Sequence, residues 1–258
     1  MLKLDKLSDL KTIDIYGVKI AQTSISKLIS HLEIKLLAND IKGFITVTGV
    51  HGVIESQKNK NVAKAHNNSY LSIPDGTPLV WYSKSKGSES IKRCFGPEMM
   101  YEFFKKTSKS NFRHFFYGGN EGVAEKLKSN FENKFNANIV GTYCPPFRPL
   151  NKKEDEELRN LIKQKTPDII WVGLSTPKQE LFMNEWINQL DCKLMFGVGA
   201  AFDYHTGSII VAPKLIQKMG LEWFFRLILE PKRLYKRYFE MVPKFIILVL
   251  KEFVLKIK

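Results

Sequence analysis

"YLSIPDGTPLVW", residues 70–81, sets an aspartate between a proline and a glycine, directly after an apolar run that reads as a buried strand. A short apolar run closed by a tight turn is the unit from which the whole chain is built. It recurs in "TIDIYGVKI" and "GFITVTG" before this point, and in "RHFFYGG", "NIVGTY", "DIIWVG" and "KLMFGVG" after it. Most of these runs are followed by segments with apolar residues at spacings of three and four, such as "NEGVAEKLKSNFENKF" and "NKKEDEELRNLIKQK". Strands alternating with helices predict an α/β fold with a mostly parallel sheet and helices on both faces. No internal repeat and no low-complexity linker interrupts the pattern.

Most strand-like runs end in a turn carrying glycine: Gly49, Gly76, Gly118 with Gly119, Gly173, and Gly197 with Gly199. In open α/β sheets, ligands sit beyond the carboxyl ends of the strands, where glycine permits close backbone approach. One such turn needs no ligand to explain it; five at one rim indicate a site. Gly118 and Gly119 open a predicted helix whose backbone N–H groups could meet phosphate.

The chain has 258 residues, 44% hydrophobic and 26% charged, an ordinary globular composition. Its net charge of +14 points to an anionic partner: nucleic acid, an acidic membrane surface or a phosphorylated substrate. Cys94, Cys144 and Cys192 are far apart and form neither a disulfide framework nor a zinc motif, as suits a reducing cytoplasm. "MLKLDKLSDLKTIDIYG" lacks an apolar core flanked by a cleavage site, so no signal peptide is expected. No stretch approaches a membrane span; the longest apolar run is "FIILVL".

After residue 207 the strand signal stops. We therefore divide the chain into an α/β core, 1–207, and a basic, amphipathic helical appendage, 208–258, with helix breaks expected near Gly220, Pro231 and Pro243. From Lys214 to Lys258 eight Lys and three Arg face four Glu, a net of +7 and half of the chain's excess. Large aromatics such as Trp223, Phe224, Tyr235 and Phe253 lie among these charges, which suits an interfacial helix on an anionic membrane. A helical cap packed on the core fits the segment up to Leu229 equally well. In "VPKFIILVLKEFVLKIK", Lys244, Lys251 and Lys258 mark only a narrow polar stripe, which favours the membrane.

A Walker loop is absent, "FGVGAAFD" does not complete a dinucleotide fingerprint, and no nucleophile elbow is present. The histidines lack metal spacing, and there is no Asp-x-Asp pair. "EDEE", residues 154–157, complements the dipole of a predicted helix start. Asp75 remains as the best carboxylate: ionised at neutral pH and at a strand's carboxyl end, it could accept a proton from a substrate hydroxyl. An Asp-Gly pair is also a common turn former, and spacing alone does not separate the two roles.

"IPDGTPLVW", "FFYGGNEGVAEKL", "GTYCPPF", "PDIIWVGLSTPKQELF", "FGVGAAFDYHTG" and "GLEWFFRLILEPKRL", in this order, resemble the WecG/TagA/CpsF glycosyltransferases, glycosyltransferase family 26, over about residues 10–240. The resemblance implies a Rossmann-like core with a helical appendage. It implies an inverting, metal-independent enzyme without cofactor, moving a sugar of N-acetylmannosamine, N-acetylmannosaminuronate or hexose type. The donor would be a UDP-sugar and the acceptor a sugar on a polyprenyl diphosphate, for capsule, teichoic acid or another surface polysaccharide. The implied place is the cytoplasmic face of the plasma membrane, held peripherally. Asp75 matches the family's proposed general base. Arg226 and Arg233 match positions thought to meet the diphosphate, and spacings of seven and four bring Arg233 and Arg237 to one helical face beside Lys232 and Lys236. Gln179 in "TPKQE" matches an active-site glutamine, Asp203 is assigned to the nucleotide, and Gly76 flanks the base. Tyr143, Pro145, Pro146 and Phe147 would form a rigid rim.

Two departures stand out. Many relatives carry Thr-x-Asn where this chain has "TVTGVHG", so the asparagine is missing and Thr46, Thr48 and His51 surround its place. Relatives often have Arg before the Ala-Pro at 212–213, where this chain has Val211. A catalytically inactive scaffold and a basic nucleic-acid-binding module are the competing readings. The charge gathers on helices rich in large aliphatics rather than along a groove, which argues against nucleic acid. A homo-oligomer is left open.

Overall fold

In the computed structural model, which describes residues 10–255, the apolar runs form one eight-stranded sheet in the order β1-β2-β4-β3-β8-β7-β5-β6. The strands are β1 (Thr12–Ile15), β2 (Val18–Ala21), β3 (Gly43–Thr48), β4 (Leu71–Pro74), β5 (His114–Gly118), β6 (Ile139–Tyr143), β7 (Ile169–Gly173) and β8 (Leu194–Gly197). All neighbours pair in parallel except β1 with β2. The helices are α1 (Ile25–Leu37), α2 (Val50–Lys58), α3 (Lys60–Asn68), α4 (Thr77–Ser85), α5 (Gly96–Lys106), α6 (Val123–Phe135), α7 (Lys152–Lys165), α8 (Lys178–Trp186), α9 (Ala201–His205), α10 (Lys214–Lys218), α11 (Glu222–Leu229) and α12 (Pro231–Leu255). The first residues of the N-terminal stretch, and Lys258 of the tail's polar stripe, lie outside the described residues.

Alternation along β7 shows how the sheet is buried on both sides. Ile169 and Trp171 enter a core beneath α1, α5, α6 and α9, while Ile170 and Val172 enter a second core beneath α7 and α8. A third core joins β1, β2, α2 and α4 to α12, which contributes Leu234, Tyr238, Met241 and Phe245. These four recur at spacings of four, three and four, so they form one helical stripe. The opposite side of α12 leaves Tyr235, Phe239, Ile246, Ile247, Leu250 and Val254 exposed. No helix among the described residues is long and apolar enough to cross a membrane.

Two expectations change. "TIDIYGVKI" is a hairpin, not one strand, because Tyr16 (φ 50°) and Gly17 (φ 82°) reverse the chain between β1 and β2. Two successive positive φ values match the twist of a two-residue hairpin turn. Pro243 does not break the tail: it lies inside α12. The missing N–H removes one hydrogen bond from the helical ladder. Tyr238 and Met241 before it and Phe245 after it are all seated in the third core, which holds the helix across the defect. Gly220 (φ 70°) and Pro231 do sit at helix boundaries, as expected. The acidic run at the start of α7 is likewise a capping element, with Glu154 closing a capping box on Asn151 and pairing with Arg148.

Candidate active site

Beyond the carboxyl ends of β3, β4, β7 and β8 lies a cavity of about 420 Å³, closed on one side by α11 and α12. The carboxyl ends of the four strands supply its rim: Gly49 to Gly52, Asp75 to Pro78, Leu174 to Thr176 with Gln179, and Val198 to Ala201. The helices add Glu222, Trp223, Arg226, Arg233 and Arg237, then Tyr238, Met241 and Phe245. The cavity is thus apolar on the side of α12 and cationic beside it.

Asp75 extends the β4 ladder by one bond, its N–H donating to the Thr48 carbonyl at 2.9 Å. Its Oδ1 accepts from the Gly96 N–H at 3.2 Å, and its carbonyl accepts from Arg93 Nε at 2.8 Å. Gly96 opens α5, so the carboxylate lies off a helix N-terminus. A β-carbon there would lie 3.1 Å from the Val198 carbonyl, tighter than an ordinary contact, so glycine suits the position. A β-carbon at Gly49 would lie 4.0 Å from Asp75 Oδ2, so this glycine leaves space beside that oxygen. Burial raises the Asp75 pKa, against Arg93, the Gly96 N–H and Arg226, which pull it down. The carboxylate is anchored but more basic than one free in water.

The cationic wall is crowded. Burial, with Arg233 and Arg226 adding to it, lowers the pKa of Arg237. Arg226 Nη2 lies 3.5 Å from Glu230, which also pairs with Arg233. Arg226 Nε is buried without a hydrogen-bond partner, and its guanidinium stands 5.8 Å from the centre of the Tyr204 ring. A buried donor without a protein partner, beside two further guanidinium groups, makes this wall chemically suited to an anionic group. His51 completes this side. Burial and the charge of Arg237 push its pKa down to about 4, so the imidazole is neutral at pH 7.

The sequence candidates divide. Asp75, Gly76, His51, Gln179, Arg226, Arg233 and Arg237 converge on the cavity. Gln179 is nearly inaccessible, and its amide is engaged, accepting from the Gly199 N–H at 3.0 Å and donating to Glu180 at 3.1 Å. It therefore fixes the β8–α9 turn at the cavity rim. Thr46 and Thr48 do not line the cavity: strand alternation gives Val47 to it and turns both threonines to the other face. There they form a buried network with each other, His66 and Ser72. Gly118 and Gly119 do not line the cavity either. A β-carbon at Gly118 would meet the Gly173 carbonyl at 2.7 Å, and the Gly119 N–H already donates to that carbonyl at 3.0 Å. Their glycines serve strand-end packing. Asp203 stands behind the wall, within electrostatic reach of Arg233 and Arg226, and does not line the cavity. Tyr143 ends the edge strand β6, Pro145, Pro146 and Phe147 follow it, and none of the four lines the cavity.

Sequence reading missed Arg93, Gly96, Tyr204 and Glu222. The "GPE" of residues 96–98 was a legible helix start, with proline in its first turn. Nothing local marked Arg93 or Glu222, which meet only in the folded chain. Among the described residues no three His, Cys, Asp or Glu side chains gather as a metal-ligand set.

Comparison with known proteins adds the chemistry. The model of the glycosyl transferase WecG/TagA/CpsF family matches residues 13–258. An N-acetylglucosaminyldiphosphoundecaprenol N-acetyl-beta-D-mannosaminyltransferase of Bacillus spizizenii is 25% identical over 242 residues, covering 94% of this chain and 92% of that protein. The protein of the same name from Bacillus subtilis is 27% identical over 247 residues, covering 94% of this chain and 93% of its own length.

Proposed function

Because the chain belongs to the WecG/TagA/CpsF family of glycosyl transferases, we propose that it transfers an N-acetylmannosamine-type sugar from a UDP-sugar to N-acetylglucosamine carried on a polyprenyl diphosphate, in the synthesis of a cell-wall or surface polymer. The names of both Bacillus relatives support the acceptor and the sugar. The observation that carries the reading is one anchored carboxylate, Asp75, in a cavity that also holds Arg226, Arg233 and Arg237.

The chemistry follows from that pairing. An acceptor hydroxyl attacks the anomeric carbon as the bond from that carbon to the diphosphate oxygen breaks. Asp75 takes the hydroxyl proton, and the leaving UDP carries away the bonding electron pair. A single displacement inverts the anomeric configuration and needs no protein nucleophile. A carboxylate is a weak base toward an alcohol, so proton transfer accompanies bond breaking. The arginines take up the negative charge on the departing diphosphate, the part a divalent ion plays elsewhere. The enzyme works at the cytoplasmic face of the membrane. There the exposed apolar side of α12, with Lys232, Lys236, Lys244 and Lys251, rests on anionic lipid and brings the cavity to its acceptor.

Asp75→Asn tests the base. The variant should keep the wild-type melting temperature and UDP affinity while transfer from UDP-N-acetylmannosamine falls by about a thousandfold or more. Undiminished turnover would remove Asp75 from that role. Transfer that disappears with chelator and returns with magnesium would overturn the arginine-only account of the leaving group.

A further inference from the structure

The appendage reaches Asp75 by a route that does not involve the phosphate-binding arginines. Glu222, the first residue of α11, pairs with Arg93 Nη2. The Arg93 guanidinium stands over the Phe95 ring, 4.4 Å from its centre, and its Nε donates to the Asp75 carbonyl at 2.8 Å. Both ionic partners are largely buried, with side-chain exposures of 20% and 17%. The helix that carries Glu222 is itself seated closely. A β-carbon at Gly220, just before it, would lie 2.8 Å from the Trp81 ring of α4.

We propose that Glu222 is a positioning residue for sugar transfer: from α11 it holds the Arg93 guanidinium, and through Arg93 the backbone that carries Asp75. The inference rests on Asp75 being the base. Its physical content is twofold. A guanidinium fixed by a carboxylate on one side and a carbonyl on the other has a defined position, and so has the peptide it grips. The same carboxylate also occupies charge that would otherwise turn toward Asp75. The charged or titratable groups that face Asp75 are Arg93, Arg226, Cys94 and Tyr204, together with Glu222 itself. Loss of the Glu222 charge leaves Arg93 free to stabilise ionised Asp75 directly, which weakens it as a base. Burial and the nearby Asp75 charge raise the Glu222 pKa, while Arg93 and Arg226 oppose the rise.

The test uses the full chain with UDP-N-acetylmannosamine and a short-chain prenyl-diphosphate N-acetylglucosamine as probes. Steady-state rates are measured from about pH 5 to pH 9 for wild type, Glu222→Gln, Glu222→Asp and Asp75→Asn. Glu222→Gln should lose about tenfold to a hundredfold in kcat with donor KM changed by less than about threefold, and its acidic limb should move to lower pH. Glu222→Asp, which keeps the charge on a shorter arm, should recover part of the rate. Unchanged kcat and limb in Glu222→Gln, or a loss confined to KM, overturns the inference. Should Glu222→Gln lack a cooperative melting transition, Glu222→Asp decides: a lowered kcat at unaltered donor KM supports the inference, and a wild-type kcat overturns it. Turnover by Asp75→Asn would instead sink the base assignment itself. An inactive Asp75→Asn beside an unaffected Glu222→Gln removes only the role given to Glu222.

Discussion

At Asp75 two opposing effects are set against each other. Burial favours the neutral acid, and the Gly96 N–H, Arg93 and Arg226 favour the anion, with burial the larger. The acidic limb of kcat/KM should therefore lie above the range of a free aspartate near 3.8. The limb does not come from His51, whose imidazole is already neutral above about pH 4. A limb at or below the free-aspartate range would show that the pocket does not raise the basicity of its carboxylate. The anchor is as sharply defined as the base. Gly96→Ala places a β-carbon 3.1 Å from the Val198 carbonyl, and neither backbone can yield easily. We expect it to cost about 1–3 kcal/mol in urea unfolding and to lower kcat, because the N–H that holds Asp75 Oδ1 must shift. Wild-type stability and rate in this variant would show that the close approach is unimportant.

Among the elements, α12 carries the clearest division of labour. Leu234 is fully buried in the core shared with β1, β2 and α4. Leu234→Ala should destabilise the protein by about 2–5 kcal/mol, seen as a fall in melting temperature. Pro243→Ala should act in the other direction, raising the melting temperature by restoring a backbone donor in mid-helix. A fall would mean that the ring fills a space the helix needs. The two predictions also mark where sequence was legible. Strand positions along the chain could be read from the apolar runs, apart from the hairpin β1–β2, because the spacing that builds a strand is local. The Pro243 break could not be judged locally, since the helix is held by Tyr238, Met241 and Phe245 packing on residues more than a hundred positions away. Thr46 and Thr48 were misplaced for a related reason: being near a strand end says nothing of which face the side chain takes until the register is known. Asp75, Arg226, Arg233 and Arg237 line one cavity, and each could be singled out locally because its motif is short and continuous. The Arg93–Glu222 pair was not, because its partners come from distant parts of the chain.

Across the whole molecule, charge and buried imidazoles determine the response to conditions. His66 is buried in the threonine network and its pKa is pushed down to about 4 by burial. His114 accepts from the Trp171 indole at 3.1 Å, and burial pushes its pKa to about 3. Both are held neutral in the fold, whereas the unfolded chain protonates them near 6.5. Their contribution is complete above that pH and is lost as pH falls toward 4, by roughly 3 kcal/mol for His66. Melting temperatures should therefore decline from neutral to mildly acidic pH, and less steeply in His66→Asn. The outer side of α12 is the surface that the proposed lipid contact would use. Vesicles containing anionic phosphatidylglycerol should co-float with the protein, more weakly at high salt, and Phe239→Glu with Leu250→Glu should abolish the effect. Equal flotation with neutral vesicles would assign binding to the apolar side chains alone.

The far end of α12 is tied back to the first hairpin. Glu252 accepts from Tyr16 at 3.2 Å and from Tyr82 at 2.5 Å, and it pairs with Lys86. The wall that α12 gives the cavity is thus held by side chains that do not themselves line it. Loosening that anchor, as in Glu252→Gln, should disturb the wall without removing any group that faces the cavity.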